Sequence, residues 1–149
     1  DTSPFNIYPA KGRYMVRDIE RIAAVRGIPF RMPAKFPANG LLAARIASLD
    51  LEPRWSESFS RAVFEAEFAC GEDIGDARVL APICTSLSRD FIQLGEMAKS
   101  DLVKENLRKV TEQAREYGIF GSPTFVAADG ELFWGDDRLE QALDWALQL

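Results

Sequence analysis

The feature that most restricts how this chain folds is that its strand-forming sequence is confined to one stretch near the C terminus. Residues 124–127 and 132–134 are rich in β-branched and aromatic residues, and they flank Asp129-Gly130, a dipeptide favoured in hairpin turns. An isolated two-stranded hairpin is marginal in water unless further strands or a well-packed cover support it. The sequence therefore predicts that something outside this stretch pairs with the hairpin or covers it.

The first helical pattern runs from residue 13 to residue 26, and Gly27 ends it. Residues 1–12 are read as an extended lead-in to this helix, because they contain two prolines and a glycine and little periodicity. Residues 28–40 contain three prolines and are expected to form a stiff connector. The apolar residues that follow mostly helical spacing in this first helix are Met15, Ile19, Ile22, Ala23 and Val25.

Further amphipathic patterns fill the chain up to the hairpin, and one more follows it. The final helix is expected to have Asp136 or Asp137 as its N-cap, because aspartate is a preferred capping residue. The other helices are predicted over residues 40–49, 54–69, 77–87, 90–98 and 100–117. The chain is thus expected to be mostly α, with a C-terminal β-hairpin and helix.

Composition excludes several classes of function. The chain has 149 residues, of which 47% are hydrophobic, so it is long enough to bury a core. Its net charge of −5 offers no basic field for nucleic acid. No apolar run reaches the roughly 20 residues that span a bilayer, and the first residues show no signal-peptide core. We therefore expect a cytoplasmic protein with neither nucleic acid nor membrane as a partner.

Histidine is absent, which removes the commonest general base and the commonest metal ligand. No metal site is predicted. The two cysteines, Cys70 and Cys84, do not form a C-x-x-C pair, so a thioredoxin-type dithiol is not expected. Both are expected to be buried structural thiols, because free cysteine is commonly buried.

One segment carries a resemblance to a known family. In GIFGSPTFVAADGELFWGDDRL, residues 118–139, a Ser122-Pro123 dipeptide stands where a strand begins, and a cis peptide is expected there. The order of loop, hairpin and helix resembles the cis-proline loop region of the thioredoxin superfamily. The pattern F-G-x-P-T-F…L-F-W-G-x-D-R-L resembles the 2-hydroxychromene-2-carboxylate isomerases and the kappa-class glutathione transferases, which are DsbA-like. PAKGRYMVRDIERIA, GIPFRMP, FPANGLLAAR and SDLVKENLRKVTEQAREYGIFGSPTF resemble the same family, so the likeness covers nearly the whole chain.

This resemblance implies an α/β, thioredoxin-like (DsbA-like) fold with a large all-helical insertion. Residues 1–98 would be the helical insertion domain, and residues 99–149 the C-terminal part of the thioredoxin-like domain. The family begins with a strand, a loop that bears a catalytic serine, a helix and a second strand, and nothing in this chain matches them. The serine that activates the nucleophile is therefore expected upstream of Asp1, and the strands of that segment would support the hairpin.

The resemblance also implies glutathione as the cofactor and a small aromatic compound as the substrate. Main-chain pairing at Ser122 would hold the tripeptide, and Asp137 is a better candidate than Asp136 for its ammonium group. The residues implied for the cofactor are Ser122, Pro123, Trp134, Gly135, Asp136 and Asp137, with Arg138 supporting the aspartates. Those implied for the substrate are Lys11, Phe36 and Asn39, with Pro37 beside them.

Each of these residues also has an ordinary structural role to which it is suited. Ser122-Pro123 can simply open a strand, and the two aspartates can cap a helix. Trp134 can belong to the core, Lys11 to the solvated surface, and Asn39 can cap the helix that follows it.

The function implied is a glutathione-dependent isomerase of 2-hydroxychromene-2-carboxylate type. A kappa-like glutathione transferase or peroxidase and a noncatalytic DsbA-like binding module are the alternatives. A disulfide oxidoreductase ranks lower, because neither cysteine belongs to a catalytic pair. By the same resemblance, a homodimer is expected.

Overall fold

The computed structural model describes residues 8–49 and 51–149, which are mostly helical up to a C-terminal hairpin and a final helix. The described residues up to Lys104 form one compact unit, and Glu105–Leu149 form a second. The helices and strands are α1 Pro9–Arg26, α2 Leu41–Ala47, α3 Trp55–Phe64, α4 Ala77–Ser86, α5 Phe91–Ala98, α6 Asp101–Glu116, β1 Thr124–Val126, β2 Leu132–Trp134 and α7 Leu139–Ala146. Within these residues, no helix has both the length and the apolar character needed to cross a membrane.

Helix α1 begins at Pro9, four residues earlier than predicted. Proline is tolerated in the first turn of a helix, where its missing N–H has no intrahelical partner. The extended lead-in is therefore wrong for residues 9–12, and residues 1–7 lie outside the described part of the chain. Gly27 ends the helix as predicted, with a left-handed backbone at φ 65°.

The helix predicted from the spacing of these apolar residues is confirmed, but most of them are not buried. Ala23 is buried, but Val25 is 88% exposed and Ile19 and Ile22 are each exposed by about two fifths. Helical periodicity shows that one face is apolar, but it does not show whether another element covers that face.

The core of the first unit is built by α2 to α5 and the start of α6. Its centre includes Phe59, whose ring stacks on Trp55 with the ring centroids 5.3 Å apart. The indole Nε1 of Trp55 donates a 3.0 Å hydrogen bond to the Ile46 carbonyl, so this buried polar atom is satisfied. The buried cluster consists of Ala43, Ile46, Leu49, Trp55, Phe59, Val63, Ile74, Leu80, Cys84, Leu94, Ala98 and Val103.

Helix α3 continues into a π-helical turn, Glu65–Ala69, which together with α3 covers nearly the whole predicted span of 54–69. The residue Glu67 in this turn is buried, with 5% of its surface exposed. It ends at Cys70, which is exposed, so the expectation of a buried thiol is wrong at this position. Cys84 is buried as expected, and burial raises the pKa of its thiol.

The second unit contains the hairpin, in which β1 and β2 pair antiparallel with Phe125 opposite Phe133. The turn is closed by hydrogen bonds from the Gly130 N–H to the Ala127 carbonyl and from the Ala127 N–H to the Glu131 carbonyl, each 2.9 Å long. The sheet formed by the described residues has two strands, as the sequence predicts. One face is covered by α7, because the buried Phe133 ring lies against Trp145 with the centroids 6.2 Å apart.

Candidate functional site

The turn that leads into β1 is fixed to the end of β2. The peptide bond between Ser122 and Pro123 is cis, which confirms the sequence prediction. The Pro123 carbonyl accepts a 3.0 Å hydrogen bond from the Gly135 N–H, and Thr124 Oγ1 donates a 2.6 Å bond to the Gly121 carbonyl. Together with the pairing of Thr124 opposite Trp134, these bonds bring Ser122, Pro123, Trp134 and Gly135 to one edge of the hairpin.

The backbone of Ser122 remains available at this edge. Ser122 and Pro123 are both exposed. Within residues 105–149, neither the N–H nor the carbonyl of Ser122 takes part in a hydrogen bond. An exposed donor and acceptor on one residue, with the neighbouring backbone already paired, can bind an extended peptide by main-chain hydrogen bonds.

The two candidate aspartates follow immediately, but neither is the N-cap of the final helix. Asp136–Arg138 form a 3₁₀ turn, and the residue that caps α7 is Arg138, without a side-chain capping bond. The capping prediction is therefore wrong, because an additional tight turn separates the hairpin from the helix. Asp137 is exposed, and one of its carboxylate oxygens lies 3.5 Å from an Nη atom of Arg138.

Gly135 leaves room for the Asp137 carboxylate beside the end of β2. Its backbone has φ 119° and ψ 149°, a conformation that residues other than glycine essentially do not adopt. A methyl group at this position would lie 2.5 Å from Asp137 Oδ1. The glycine therefore allows the carboxylate to fold back beside the end of β2.

Two aromatic rings flank the same turn. Trp134 is 54% exposed, so it does not belong to the core that the described residues form. Its ring centroid lies 5.0 Å from that of Phe120, which is 73% exposed. Phe120 was missed by the sequence reasoning, although the aromatic residue in G-I-F-G-S-P, two positions before Ser122, was an available signal.

The residues predicted to contact substrate all belong to the first unit. Lys11 is exposed in the first turn of α1. Phe36 is half-buried, precedes a second cis proline at position 37, and packs edge-on against Phe68 with the centroids 6.2 Å apart. The side chain of Asn39 accepts a 3.2 Å hydrogen bond from the Leu41 N–H, the first of α2, although the N-cap residue of this helix is Gly40.

The hairpin turn is itself tied to the final helix. Asp129 accepts a 2.9 Å hydrogen bond from the indole Nε1 of Trp145 and a 3.1 Å bond from the Glu131 N–H. These two bonds, of which the one from Trp145 has the larger effect, hold the pKa of the Asp129 carboxyl below its ordinary value. The contact sets where α7 lies relative to the hairpin, and with it the turn that carries Asp136 and Asp137.

The arrangement of cis-proline turn, hairpin and final helix agrees with a comparison against protein families. The model of the DSBA-like thioredoxin domain matches residues 1–145. The chain belongs to the DsbA-like thioredoxin family. This match confirms the predicted DsbA-like, thioredoxin-like fold class. In agreement with it, the described residues are mostly helical and end in a hairpin and a helix.

Relatives of this DsbA-like chain are named as enzymes. It is 29% identical over 130 residues to a 2-hydroxychromene-2-carboxylate isomerase of Sphingobium xenophagum, with 87% of this chain and 65% of the relative covered. It is 31% identical over 150 residues to glutathione S-transferase kappa 1 of Homo sapiens, with 92% and 66% covered. A solved structure of a 2-hydroxychromene-2-carboxylate isomerase matches with a TM-score of 0.83 and 25% identity, covering 99% of this chain and 70% of that one. The chain thus spans about two thirds of the length of these curated relatives.

Proposed function

We propose that this chain forms the glutathione-binding and substrate-orienting part of a glutathione-dependent isomerase of the 2-hydroxychromene-2-carboxylate type. The observation that carries the proposal is the exposed and unused backbone donor and acceptor of Ser122, beside a glycine and two aspartates. The relative named as an isomerase supports this class of enzyme, and the relative named as a glutathione transferase supports the use of glutathione.

The residues at the hairpin edge are suited to glutathione group by group. The Ser122 N–H and carbonyl would pair with the main chain of the tripeptide, as a strand pairs with a sheet edge. Asp137 would accept from the ammonium of the γ-glutamyl residue, since a charge-assisted hydrogen bond is among the stronger polar contacts. Gly135 has no side chain to obstruct the approach.

In this proposal, glutathione supplies a thiol nucleophile that adds to the aromatic substrate and leaves again, so that a double bond can rotate without net oxidation or reduction. The chain holds the tripeptide in one orientation and presents aromatic side chains to the substrate. No catalytic residue is assigned within the chain. The serine that would lower the thiol pKa is proposed on a segment preceding Asp1.

Two other functions compete with this one. A kappa-like glutathione transferase or peroxidase would use the same backbone site, and the relative from Homo sapiens favours it. It would release a stable conjugate or reduce a peroxide, so identification of the product separates it from an isomerase. A noncatalytic binding module is favoured by the short two-stranded sheet, whose edges can accept a further strand.

The proposal is tested with the full-length protein, by measuring isomerisation of a hydroxychromene carboxylate with and without glutathione. We expect turnover only with the thiol. Asp137→Asn should raise the KM for glutathione by roughly tenfold, because it removes the charge that meets the ammonium group. Asp144→Asn, at an exposed position on α7, is the matched control and should leave the KM unchanged.

Turnover without any thiol would reject the proposal. An Asp137→Asn enzyme with the original KM would leave glutathione dependence standing but would remove Asp137 from the binding site. Product analysis in the same assay distinguishes isomer from conjugate. Binding of a partner without turnover would favour the noncatalytic module.

Homodimer formation and a cytoplasmic location stay predictions. The mass of the purified full-length protein in solution, determined by light scattering, tests the first. A mass equal to that of one polypeptide would contradict it.

A further inference from the structure

We propose that Phe120 and Trp134 form the surface that recognises the aromatic co-substrate and so determine its specificity. This inference rests on the proposed function, because it places the aromatic compound next to a tripeptide bound at Ser122. It differs from the sequence expectation, which assigned Trp134 to glutathione and did not consider Phe120.

The first support is the exposure of the two rings. Phe120 is 73% exposed and Trp134 is 54% exposed, although their ring centroids are only 5.0 Å apart with the planes inclined at 57°. Each large aromatic side chain buries much apolar surface when it is covered, so the two rings together offer an aromatic ligand a contact surface beside the turn. Their separation and inclination lie in the ordinary range for an aromatic pair, to which a third ring can be added.

The second support is the position of the indole against the turn. A methyl group at Gly121 would lie 2.4 Å from Trp134 Nε1 and 3.0 Å from its Cε2, so the indole lies directly on the backbone that precedes Ser122. Gly135, which follows Trp134, donates its N–H to the Pro123 carbonyl. The aromatic pair is therefore held to both sides of the turn that would bind the tripeptide.

The third support is reach along the chain. Two residues of extended backbone span at most about 7 Å, so the Phe120 backbone lies no further than this from that of Ser122. If the tripeptide pairs with Ser122 through the main chain of its central residue, the cysteine of glutathione lies beside Ser122. A ring attached to its sulfur, or approaching it, is then within the distance at which aromatic rings contact each other.

The test uses two stable thioethers that contain the same tripeptide, S-methylglutathione and S-benzylglutathione, and measures their binding to the full-length protein by calorimetry. We expect the benzyl compound to bind about tenfold more tightly than the methyl compound, through burial of its ring on the aromatic pair. Phe120→Leu should reduce this ratio to about threefold or less, with the affinity for S-methylglutathione unchanged. Phe120→Tyr retains the ring and should retain the ratio.

A matched control and a second variant keep the result interpretable. Tyr117→Leu changes a half-exposed aromatic side chain on the C-terminal side of α6 and should leave the ratio as it is. Trp134→Phe keeps an aromatic ring and should lower the ratio only in part, and circular dichroism verifies that each variant folds. A tenfold ratio that persists in Phe120→Leu, or an absence of any preference for benzyl in the unmodified protein, would overturn the inference. If S-methylglutathione does not bind at all, the proposed glutathione site is wrong, and the inference falls with it.

Discussion

Gly135 is the residue on which the geometry of the candidate site depends most directly. Its backbone conformation belongs to glycine, and a methyl group would meet Asp137 Oδ1 at 2.5 Å. We predict that Gly135→Ala lowers the free energy of unfolding by about 1–3 kcal/mol, the cost of holding a side chain in that conformation. Urea denaturation of the full-length protein measures the change.

Gly95→Ala is the matched control for this substitution. Gly95 lies within α5, and a methyl group there would have no heavy atom within 4 Å. Alanine should therefore stabilise the helix by about 0.5–1 kcal/mol, since it restricts the unfolded chain more than glycine does. Equal effects of the two substitutions would show that the backbone of Gly135 adopts an ordinary conformation in solution.

Glu67 gives a prediction about pH dependence. Burial, with a smaller contribution from Asp73, raises the pKa of the Glu67 carboxyl above its ordinary value. The folded state therefore favours the protonated form. The stability associated with this carboxyl is complete below the pKa of the unfolded chain and is lost as the pH rises through the higher pKa of the folded state.

Glu67→Gln should remove this part of the pH dependence, because the amide does not ionise. The total change with pH in the stability difference between the two proteins reports the pKa shift, at about 1.4 kcal/mol per unit. Denaturation midpoints measured from pH 4 to pH 8 provide the comparison. Glu65→Gln, at an exposed carboxyl in the same π-helical turn, is the control. If the stability of Glu67→Gln depends on pH in the same way as that of the unmodified protein, the prediction is contradicted.

At the scale of elements, the hydrogen bond from Trp145 on α7 to Asp129 in the hairpin turn couples two parts of the second unit. Because this bond lowers the pKa of Asp129, its stabilising effect is present above the unfolded pKa and is lost as the pH falls through the lowered folded value. Trp145→Phe should destabilise the hairpin and reduce its acid sensitivity, since the donor is gone. Nuclear magnetic resonance of the Gly130 amide at decreasing pH measures both effects, and an unchanged acid profile would contradict them.

The order of helices and the hairpin could be predicted because periodicity and turn residues are local properties of the sequence. Asp90, for example, accepts a 2.7 Å hydrogen bond from the Gln93 N–H and caps α5 beside its predicted boundary. The exposure of Val25 and Cys70 could not be predicted, because coverage of a helical face depends on where distant segments pack. The π-helical turn after Phe64 likewise has no signature in local propensity.

In the candidate site, too, some features could be predicted from the sequence and others could not. The cis peptide before Pro123 and the closeness of Trp134 and Gly135 to that turn follow from the recognisable hairpin pattern. A 3₁₀ turn at Asp136–Arg138 moves the start of the final helix, so that neither Asp136 nor Asp137 is its N-cap. Sequence patterns do not locate the end of a helix to within one or two residues, so this turn could not be predicted. The sequence places Phe120 two positions before Ser122, but its contact with Trp134 depends on the path of the turn between them, which local sequence does not determine.

At the scale of the whole molecule, the two units differ in how much they bury. The cluster centred on Phe59 belongs to the first unit, whereas the buried hydrophobic residues among 105–149 are Phe133 and Ala142. Stability in proteins is distributed according to such buried apolar contacts, and a two-stranded hairpin alone is marginal. We therefore predict that backbone amides of α3 to α5 exchange with deuterium much more slowly than those of β1 and β2.

Hydrogen exchange followed by mass spectrometry of the full-length protein makes this comparison. Phe59→Ala should accelerate exchange in α3 to α5 by an amount corresponding to about 3–5 kcal/mol, the cost of deleting a buried phenylalanine ring. Phe64→Ala is the control, since its ring is 61% exposed in the same helix and should alter protection far less. If the hairpin amides are protected as strongly as those around Phe59, the hairpin has additional support in the full-length protein, as the marginal stability of two strands requires.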